Sequence, residues 1–318
     1  MLAWSPLALV WPLGAKAQGS DGRPPQDRVT TAAWPQRAIQ ITVAYPPGGV
    51  SDQMARALAD VLTHQLGVPV VVENRAGASG TLALDLLARR EPDGYSLCFV
   101  AAASIALRAR AASHRGTAVR AVVPVAGVMR TPILIVGTPS LQVQSFARMI
   151  DVAREGPGGI RWATTGEGTT GHAVLERVRR ASGAEIIHIP YKGGGQQLTD
   201  ALAGHFEVLS TNVAAAQLED IAAGRLTALA VGAPARLAVL PATPTLAELG
   251  YEDANLDSLF GLFAPPGLPA ALAERINRAV AAAMEDAGLR ARLRKMNNTP
   301  FEGGVEMFAR QVAREARR

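Results

Sequence analysis

The sequence predicts an α/β protein built from two units, each with a parallel sheet covered on both faces. Three observations support this fold class. The chain has 318 residues, a length typical of about two domains. Short apolar runs alternate with amphipathic segments of helical period. Hydrophobic residues make up 48% and charged residues 19%, which favours a packed globular protein over a disordered chain.

The first unit follows a strand, loop, helix order. Apolar runs predict strands at 38–44, 68–73 and 95–101, and helical periodicity predicts helices at 51–66 and 82–89. Gly67 ends the first helix, and Pro92-Asp93-Gly94 forms the turn before the third strand. This order predicts parallel pairing of the three strands.

The second unit begins near Pro132 and repeats the alternation. Strands are predicted at 133–136, 160–164, 184–189, 206–210 and 226–231, and helices at 145–154, 172–181, 198–203 and 214–223. Ser145 is the candidate N-cap of the first of these helices. An apolar run at 259–264 and helices near 269–286 and 304–317 complete the chain.

The N-terminal segment is predicted to lie outside the fold. An apolar stretch at 2–13 precedes Ala15-Lys16-Ala17, which is typical of a signal peptide over residues 1–17. A disordered linker is expected at 18–33, and the mature protein is expected to be exported. The alternative is a disordered tail over the whole segment. The lone Cys98 lies in an apolar run, which predicts a buried core thiol.

Charge and composition exclude several classes of protein. The net charge is +5, but the basic residues are scattered, and aromatic residues make up only 5%. Nucleic-acid binding is therefore not expected, because it needs a basic stripe or stacking platforms. The densest basic cluster, at 290–295, is predicted to lie on a C-terminal helix. The sequence contains no run of 18 consecutive apolar residues, so no membrane span is predicted.

Four loops share a position at the carboxyl ends of predicted strands, where open parallel sheets bind ligands. They are residues 46–49, 74–80, 164–171 and 211–212, and the first three are rich in Gly, Ser or Thr. Helix N-termini that follow such loops direct amides and a positive dipole end at one place, which predicts an anion site without Arg or Lys. Two structural readings stay open: Ser51 or Asp52 as the N-cap of the first helix, and Gly48-Gly49 as an ordinary turn.

Enzyme chemistry is not indicated, and no cofactor or metal is expected. Residues 166–171 match G-x-G-x-x-G, but Glu185 begins the next strand, where a ribose-binding residue should end it. His172 stands where a Walker loop needs Lys. Ser, Asp and His side chains of a hydrolase are available as Ser51, Asp52 and His172, but the sequence has no G-x-S-x-G elbow. The five histidines do not have the spacing of metal ligands. His172 is a better ligand donor or cap than a general base. A nucleotide-binding or hydrolytic enzyme using this loop remains the alternative function.

Seven segments in order carry a resemblance to a known family. They are W-P-x-R-x-I with A-Y-P-P-G-G-V-S-D-Q-M-A-R at 34–56, Q-L-G-V-P-V-V-V-E-N-R-A-G-A-S-G at 65–80, P-D-G-Y-S-L at 92–97, H-I-P-Y-K-G at 188–193, A-G-R-L-T-A-L-A at 223–230, L-P-A-T-P-T-L-A-E-L-G at 240–250 and F-G-L-F-A-P-P-G at 260–267. Nearly the whole chain after residue 34 thus resembles the Bug-type solute-binding receptors of tripartite tricarboxylate transporters.

The resemblance implies a type II periplasmic-binding-protein fold, in which two α/β domains enclose a ligand cleft. It implies domain 1 at 34–127 plus 250–318 and domain 2 at 128–249. The expected ligand is a small organic acid, and the expected partners are membrane transporter subunits, with a sensing role as the other possibility. The resemblance also implies a monomer that is located in the periplasm.

The resemblance also implies which residues bind the ligand, as hydroxyl and main-chain amide donors at strand ends. In the first domain these are Tyr45, Pro47, Gly48, Gly49, Ser51, Asp52, Ala78, Ser79, Ala102 and Ser104. In the second domain they are Thr165, Gly166, Thr169, Thr170, His172 and Asn212. The segment 101–104 lacks the family's usual Asn or Thr donors, which predicts a more apolar pocket, and Glu167 is expected to face solvent or a ligand amine.

Overall fold

The computed structural model describes residues 34–317 except positions 115, 117, 119 and 157. The predicted signal peptide and linker lie outside the described residues. Within this part of the chain, no helix is both long enough and apolar enough to cross a membrane.

Strands and helices alternate along most of the chain, as predicted. The strands are β1 (Ile39–Val43), β2 (Val70–Asn74), β3 (Ser96–Ala101), β4 (Val123–Gly137), β5 (Ile160–Thr164), β6 (Ile186–Pro190), β7 (Val208–Asn212), β8 (Thr227–Gly232), β9 (Asp257–Ala264) and β10 (Thr299–Pro300). The helices are α1 (Val50–Leu66), α2 (Thr81–Leu87), α3 (Ala102–His114), α4 (Phe146–Glu155), α5 (Thr170–Ser182), α6 (Gly194–Leu202), α7 (Ala215–Ala222), α8 (Ala270–Ala283), α9 (Ala287–Lys295) and α10 (Val305–Arg317).

The long strand β4 joins two sheets. Its first part, Val123 to Pro132, pairs with β9, and its second part, from Ile133 onward, pairs with β7 and β8. We call lobe 1 the part containing β1, β2, β3, β9, β10 and the first part of β4. Lobe 2 contains β5, β6, β7, β8 and the second part of β4. The strand predicted at 133–136 is therefore only the end of a longer strand.

Parallel pairing is confirmed for β1 with β2 and β3, and for β5 with β6 and β7. It is wrong for the strands that connect the lobes, because β9 runs antiparallel to β3 and β4, and β4 runs antiparallel to β7 and β8. Both sheets are mixed because β4 runs from lobe 1 into lobe 2 and β9 brings the chain back into lobe 1.

Each lobe has its own core on both faces of its sheet. In lobe 1, one cluster contains Met54 and Phe99, and the other contains Phe263 and Phe308. In lobe 2, one cluster contains Trp162 and the other contains Phe206. Separate cores are the mark of two folding units. The predicted boundaries at 127/128 and 249/250 stay a prediction, and strand pairing changes sheet between Pro132 and Ile133.

Several local predictions can be compared with the structure. Ser145 caps α4, since its hydroxyl accepts the Arg148 N–H at 3.3 Å. Cys98 is fully buried as predicted, and burial raises the pKa of its thiol. Helix α3 was not predicted; it begins directly where β3 ends. The N-cap of α1 is Gly49, so the suggestion that Ser51 or Asp52 caps this helix is wrong.

Candidate ligand-binding cleft

A cleft lies between the lobes at the carboxyl ends of β1, β5 and β7. Its wide part has a volume of about 540 Å³ and is called the outer cleft. A narrow part of about 30 Å³ adjoins it and is called the inner cleft. The two parts share the residues Tyr45, Thr165, Thr211, Asn212 and Phe260. The outer cleft has the size of a small-molecule site.

Both lobes contribute to both parts of the cleft. Apart from the shared residues, the inner cleft is lined by Ala101, Ala103, Ser104, Ile133, Thr169, Thr170, Gly171 and Ser258. The outer cleft is lined by Pro46, Pro47, Gly48, Gly49, Val50, Ser51, Lys192, Gly193, Gly194, Gly195, Gln196, Leu198, Ala214, Ala216 and Gln217.

The lining carries almost no charge. Among the described residues that line the two parts, Lys192 is the one charged side chain, and none is Asp or Glu. The described residues also contain no group of three or more His, Cys, Asp or Glu side chains that could hold a metal ion. The cleft therefore offers hydroxyls, amides and one ammonium group, a set that suits a small anion.

In lobe 1, the buried side chain of Asp52 braces the loop before α1. Its carboxylate accepts the Gly48 N–H at 2.9 Å, the Asn74 side-chain amide at 2.9 Å and the Arg56 guanidinium at 3.1 Å. Burial by itself would raise the pKa of Asp52, but these hydrogen bonds and the Arg56 charge outweigh it and lower the pKa. Gly48 has a φ of +82°, which favours glycine. The loop is thus held rigidly with its main chain facing the cleft.

Tyr45 ties together three elements of lobe 1 beneath the cleft. Its hydroxyl accepts the Ala101 N–H at 3.1 Å and lies 3.3 Å from the Ser104 hydroxyl. Ser104 donates to the Ser79 carbonyl at 2.7 Å. Burial raises the pKa of Tyr45, so its hydroxyl is protonated at neutral pH. This chain fixes the turn at Ala78 and Ser79, both of which have positive φ.

In lobe 2, the loop between β5 and α5 is held by neutral groups. The Thr169 hydroxyl accepts the His172 N–H at 3.3 Å and donates to the Gly166 carbonyl at 2.8 Å. His172 Nδ1 accepts the Gly168 N–H at 3.0 Å. His172 therefore caps the loop from behind, and Glu167 at its tip is exposed.

A stacked histidine pair lies under this loop. The rings of His172 and His188 are 4.2 Å apart and nearly parallel, at 14°. His188 Nε2 lies 2.8 Å from the Thr164 hydroxyl, which also contacts Gly166. Burial lowers the pKa of His172, and burial together with the neighbouring His172 lowers the pKa of His188 to about 4. Both rings are thus neutral at neutral pH.

Three helices point N-termini without a side-chain cap at the outer cleft. The N-caps are Gly49 for α1, Gly193 for α6 and Ala214 for α7, and no side chain caps any of the three first turns. The first amides of a helix have no partner inside the helix. In the outer cleft these amides and the positive dipole ends are free to receive an anion.

The lobes touch each other beside the cleft. A Cβ added at Gly166 in lobe 2 would lie 2.5 Å from the Ser79 hydroxyl in lobe 1, and one at Gly193 would lie 3.1 Å from Pro46 Cγ. A Cβ at Gly168 would lie 2.7 Å from a methyl of Leu107. Three glycines of lobe 2 thus allow its loops to approach lobe 1 closely.

Comparison with known proteins supports one family. The model of the tripartite tricarboxylate transporter family receptor matches residues 54–318. The protein BugT of Bordetella pertussis is 36% identical over 260 residues, which cover 81% of this chain and 79% of BugT. The chain belongs to the tripartite tricarboxylate transporter receptor family. The resemblance to Bug-type receptors is therefore confirmed.

Solved structures of this family share the fold. The periplasmic binding protein BugD is 25% identical with a TM-score of 0.78, and the match covers 89% of this chain and 97% of BugD. An R. palustris protein solved with adipate is 29% identical with a TM-score of 0.78, covering 89% of this chain and 95% of that protein. The predicted two-domain fold of periplasmic binding proteins is confirmed. Members of this family are solute-binding receptors.

Ten of the sixteen predicted site residues line the cleft. They are Tyr45, Pro47, Gly48, Gly49, Ser51, Ser104, Thr165, Thr169, Thr170 and Asn212. The other six are not among the lining residues: Asp52, Ala78, Ser79, Ala102, Gly166 and His172. Asp52 and His172 hold loops, and Ala102 is buried at the start of α3. Whether each of the sixteen contacts a ligand stays a prediction.

Several lining residues are absent from the predicted set. Lys192 and the following glycines come after β6, so the rule for carboxyl ends of strands would have found them. Thr211 stands beside the predicted Asn212 at the end of β7. Phe260 lies within β9, where an apolar run indicates only a buried strand. Gln217 lies on α7 without any motif, so its place in the cleft follows only from the tertiary structure.

Proposed function

We propose that the protein captures a small organic acid between its lobes and closes around it. The observation that carries this proposal is the meeting of three helix N-termini without side-chain caps, at Gly49, Gly193 and Ala214, around one cleft whose described lining residues include no Asp or Glu. A hydrogen bond to a charged group contributes about 1.5–3 kcal/mol. Neutral amides and hydroxyls therefore bind a carboxylate without a buried guanidinium. The family description and the relative solved with adipate favour an organic acid.

Closure of the two lobes is proposed to couple ligand binding to delivery or sensing of the ligand. Strands β4 and β9 lie where the two lobes join, and a hinge there would let lobe 2 move towards lobe 1. A ligand favours the closed state only by its greater affinity for that state. Donors from both lobes are needed for that difference, and Ser51 of lobe 1 and Asn212 of lobe 2 line the same outer cleft.

The closed receptor is proposed to deliver its ligand to the membrane subunits of a tripartite tricarboxylate transporter, or to report the ligand to a sensor. We propose that residues 1–17 direct export to the periplasm and that the mature protein is a monomer. Mass analysis of the exported protein and its light scattering in solution test these two points. A mature chain that still begins at Met1, or a stable dimer, would contradict them.

The alternative of a nucleotide-binding or hydrolytic enzyme has less support. A phosphate-binding loop needs free amides, but in the loop at 166–171 the Gly168 N–H is already bonded to His172. The same loop borders the inner cleft of about 30 Å³, which is far smaller than the several hundred Å³ typical of ligand sites.

A thermal-shift screen separates these functions. The purified protein is heated with mono-, di- and tricarboxylates, aromatic acids, amino acids and nicotinate, and separately with NAD and ATP. A cognate acid at 100 times its Kd stabilises the folded state by about 2.7 kcal/mol. Stabilisation by nucleotides alone, or turnover of a bound acid, would contradict the proposal.

Two substitutions test the location of the site. Asn212→Ala removes an amide that lines both parts of the cleft, and Gly49→Val crowds the N-terminus of α1. Both variants should bind the cognate acid more weakly while their circular dichroism stays unchanged. Gly183→Ala, at the C-cap of α5 and outside the cleft, is the control that should keep full affinity. Unchanged affinity in both test variants would place the site elsewhere.

A further inference from the structure

The loop between β5 and α5, residues 165–169, joins a contact between the lobes to the lining of the cleft. Gly168 lies against Leu107 on α3 of lobe 1, where an added Cβ would be 2.7 Å from a Leu107 methyl. Thr165 and Thr169 of the same loop line the inner cleft. A movement of this loop would therefore change the contact with lobe 1 and the shape of the cleft together.

One ring nitrogen of His172 holds this loop in place. Nδ1 accepts the Gly168 N–H at 3.0 Å, which requires that Nδ1 carries no proton. The other nitrogen, Nε2, then carries the proton and faces Glu176 Oε1 at 3.6 Å. When the ring takes up a second proton, both nitrogens become donors. The Gly168 N–H then loses its acceptor, at the glycine that lies against lobe 1.

The second histidine of the stacked pair does not compete for this proton. The ring of His188 lies 4.2 Å from that of His172, and its Nε2 lies 2.8 Å from the Thr164 hydroxyl. Burial, together with the neighbouring His172, lowers the pKa of His188 to about 4, so His188 stays neutral at pH 5.5. A change between pH 7.5 and pH 5.5 therefore reports on His172.

Charged groups from several elements face His172. Glu176 and Arg179 lie on α5, Glu167 lies on the loop, and Arg110 lies on α3 of lobe 1. Burial is the largest influence and lowers the pKa of His172 from its ordinary value of 6.5; the two guanidinium groups act in the same direction, and the two carboxylates oppose them. A loop that leaves lobe 1 moves the ring towards water and away from Arg110. The open state therefore binds the proton better, and its population rises as the pH falls.

We propose that His172 is a pH-dependent latch between the lobes: the neutral ring holds the β5–α5 loop against lobe 1, and the protonated ring releases it. The latch deepens the proposed function and rests on it for one consequence, because release of the loop displaces Thr165 and Thr169 from the cleft and frees a bound acid. A receptor with this latch binds its acid at neutral pH and releases it in an acidic medium.

The first test measures the separation of the lobes without any ligand. Spin labels are attached through Ala147→Cys on α4 of lobe 2 and Ala271→Cys on α8 of lobe 1, both exposed. The native Cys98 is fully buried and is not expected to react with the label. Double electron–electron resonance should give a larger fraction of long distances at pH 5.5 than at pH 7.5. An imidazole with a pKa of 6.5 is about 90% protonated at pH 5.5, so this range covers the titration of the released ring.

Two substitutions of His172 distinguish a latch from a merely structural residue. In His172→Asn, the side-chain oxygen takes nearly the place of Nδ1 and accepts the Gly168 N–H, but it does not titrate. In His172→Gln, the amide lies one methylene farther out. The distance distribution should be independent of pH in both variants, closed in His172→Asn and open in His172→Gln. His205→Asn, at an exposed histidine of lobe 2, is the control that should keep the response of the unmodified protein.

The second test measures binding by calorimetric titration with the acid that gives the largest thermal shift in the screen described above. Protonation of the acid itself acts alike on all variants, so the unmodified protein is compared with His172→Asn. Between pH 7.5 and pH 5.5, affinity should fall at least about threefold more in the unmodified protein. The upper bound is about tenfold, which is the ratio of protonated to neutral imidazole at pH 5.5 for a pKa of 6.5.

The outcomes separate the latch from the proposed function. If the distances and the affinity respond to pH equally in the unmodified protein and in His172→Asn, His172 is not a latch, and the proposed function stands. If the distances follow the protonation of His172 but no acid binds at either pH, the proposed function fails and the latch stands. If His172→Gln does not fold, the comparison with His172→Asn still decides.

Discussion

Lobe 1 and lobe 2 present similar walls to the cleft but support them differently. In lobe 1, the loop before α1 is fixed by a buried carboxylate, Asp52, with three donors within 3.1 Å. In lobe 2, the loop before α5 is held by the neutral side chains of Thr169 and His172. Buried oxygens of Gln197 and Gln217 in lobe 2 have no partner among the described residues.

This difference suggests that the two walls contribute differently to the stability of the protein and to its affinity for a ligand. A wall whose polar groups are already paired is preorganised and costs little to bind against. A wall with unpaired groups gains most when a ligand arrives. We therefore expect substitutions behind the wall of lobe 1 to reduce stability first, and substitutions in the wall of lobe 2 to reduce affinity first.

The largest effect is expected for Asp52→Ala. The substitution removes the buried carboxylate that the Gly48 N–H, the Asn74 amide and the exposed Arg56 guanidinium share, which should lower the free energy of unfolding by about 2 kcal/mol. Urea denaturation measures this change. Affinity for the cognate acid should fall as well, because the main chain around Gly48 loses its support.

Asp60→Ala is the matched control, because Asp60 lies on the same helix but is exposed. It should change the free energy of unfolding by less than about 0.5 kcal/mol. Equal effects of the two substitutions would mean that the Asp52 network does not brace lobe 1.

The bracing role of Asp52 shows where sequence reasoning reached its limit. Loops after strands could be predicted from local apolar runs and glycines, and ten of the predicted residues line the cleft. A residue's distance from the cleft, however, depends on tertiary packing. Asp52 was predicted beside Ser51 as a ligand contact, yet successive residues on a helix face different directions, and only Ser51 lines the cleft.

Larger elements were missed for similar reasons. Strand β4 was predicted only as 133–136, because its first part carries Pro124 and Pro132, which normally argue against a strand. Helix α3 is rich in Ala and Arg and lacks a clear apolar face, so periodicity did not reveal it. The function of Phe260 and Gln217 as lining residues depends on contacts between distant segments, which no local pattern encodes.

Tyr45→Phe is the next test of the support of lobe 1. It removes the hydroxyl that accepts the Ala101 N–H, and an unpartnered amide should cost about 1–2 kcal/mol of unfolding free energy. Tyr251→Phe, on an aromatic contact with Phe146 in lobe 2, is the control that should cost less. If the two denaturation curves coincide, the Tyr45 hydroxyl does not stabilise this wall.

A smaller effect is expected at the contact between the lobes. Gly193 has a φ of 168°, so alanine fits the backbone there without strain, but its Cβ would lie 3.1 Å from Pro46 Cγ in lobe 1. Gly193→Ala should therefore hinder full closure and weaken acid binding by about threefold to fivefold. Gly195→Ala has no neighbour within 4 Å and should change affinity less than twofold. Calorimetric titration of both variants distinguishes a closing contact from a general effect on the loop.

The smallest effect is expected from the histidine pair of lobe 2, and it depends on pH. The pKa of His188 falls from 6.5 to about 4 in the folded protein. Between pH 6.5 and pH 4, His188 is therefore protonated in the unfolded chain but stays neutral in the folded chain. The stability that His188 contributes is therefore present above pH 6.5 and is lost as the pH falls towards 4.

Charges of Glu167, Glu176, Arg110 and Arg179 act on the pair. His188→Gln should make the unfolding free energy fall less steeply over this range in urea denaturation. If the unfolding free energy of His188→Gln and of the unmodified protein fell equally steeply with pH, the pKa of His188 would not be lowered in the folded protein. Lobe 2 would then not be held by neutral groups, as the comparison with lobe 1 requires.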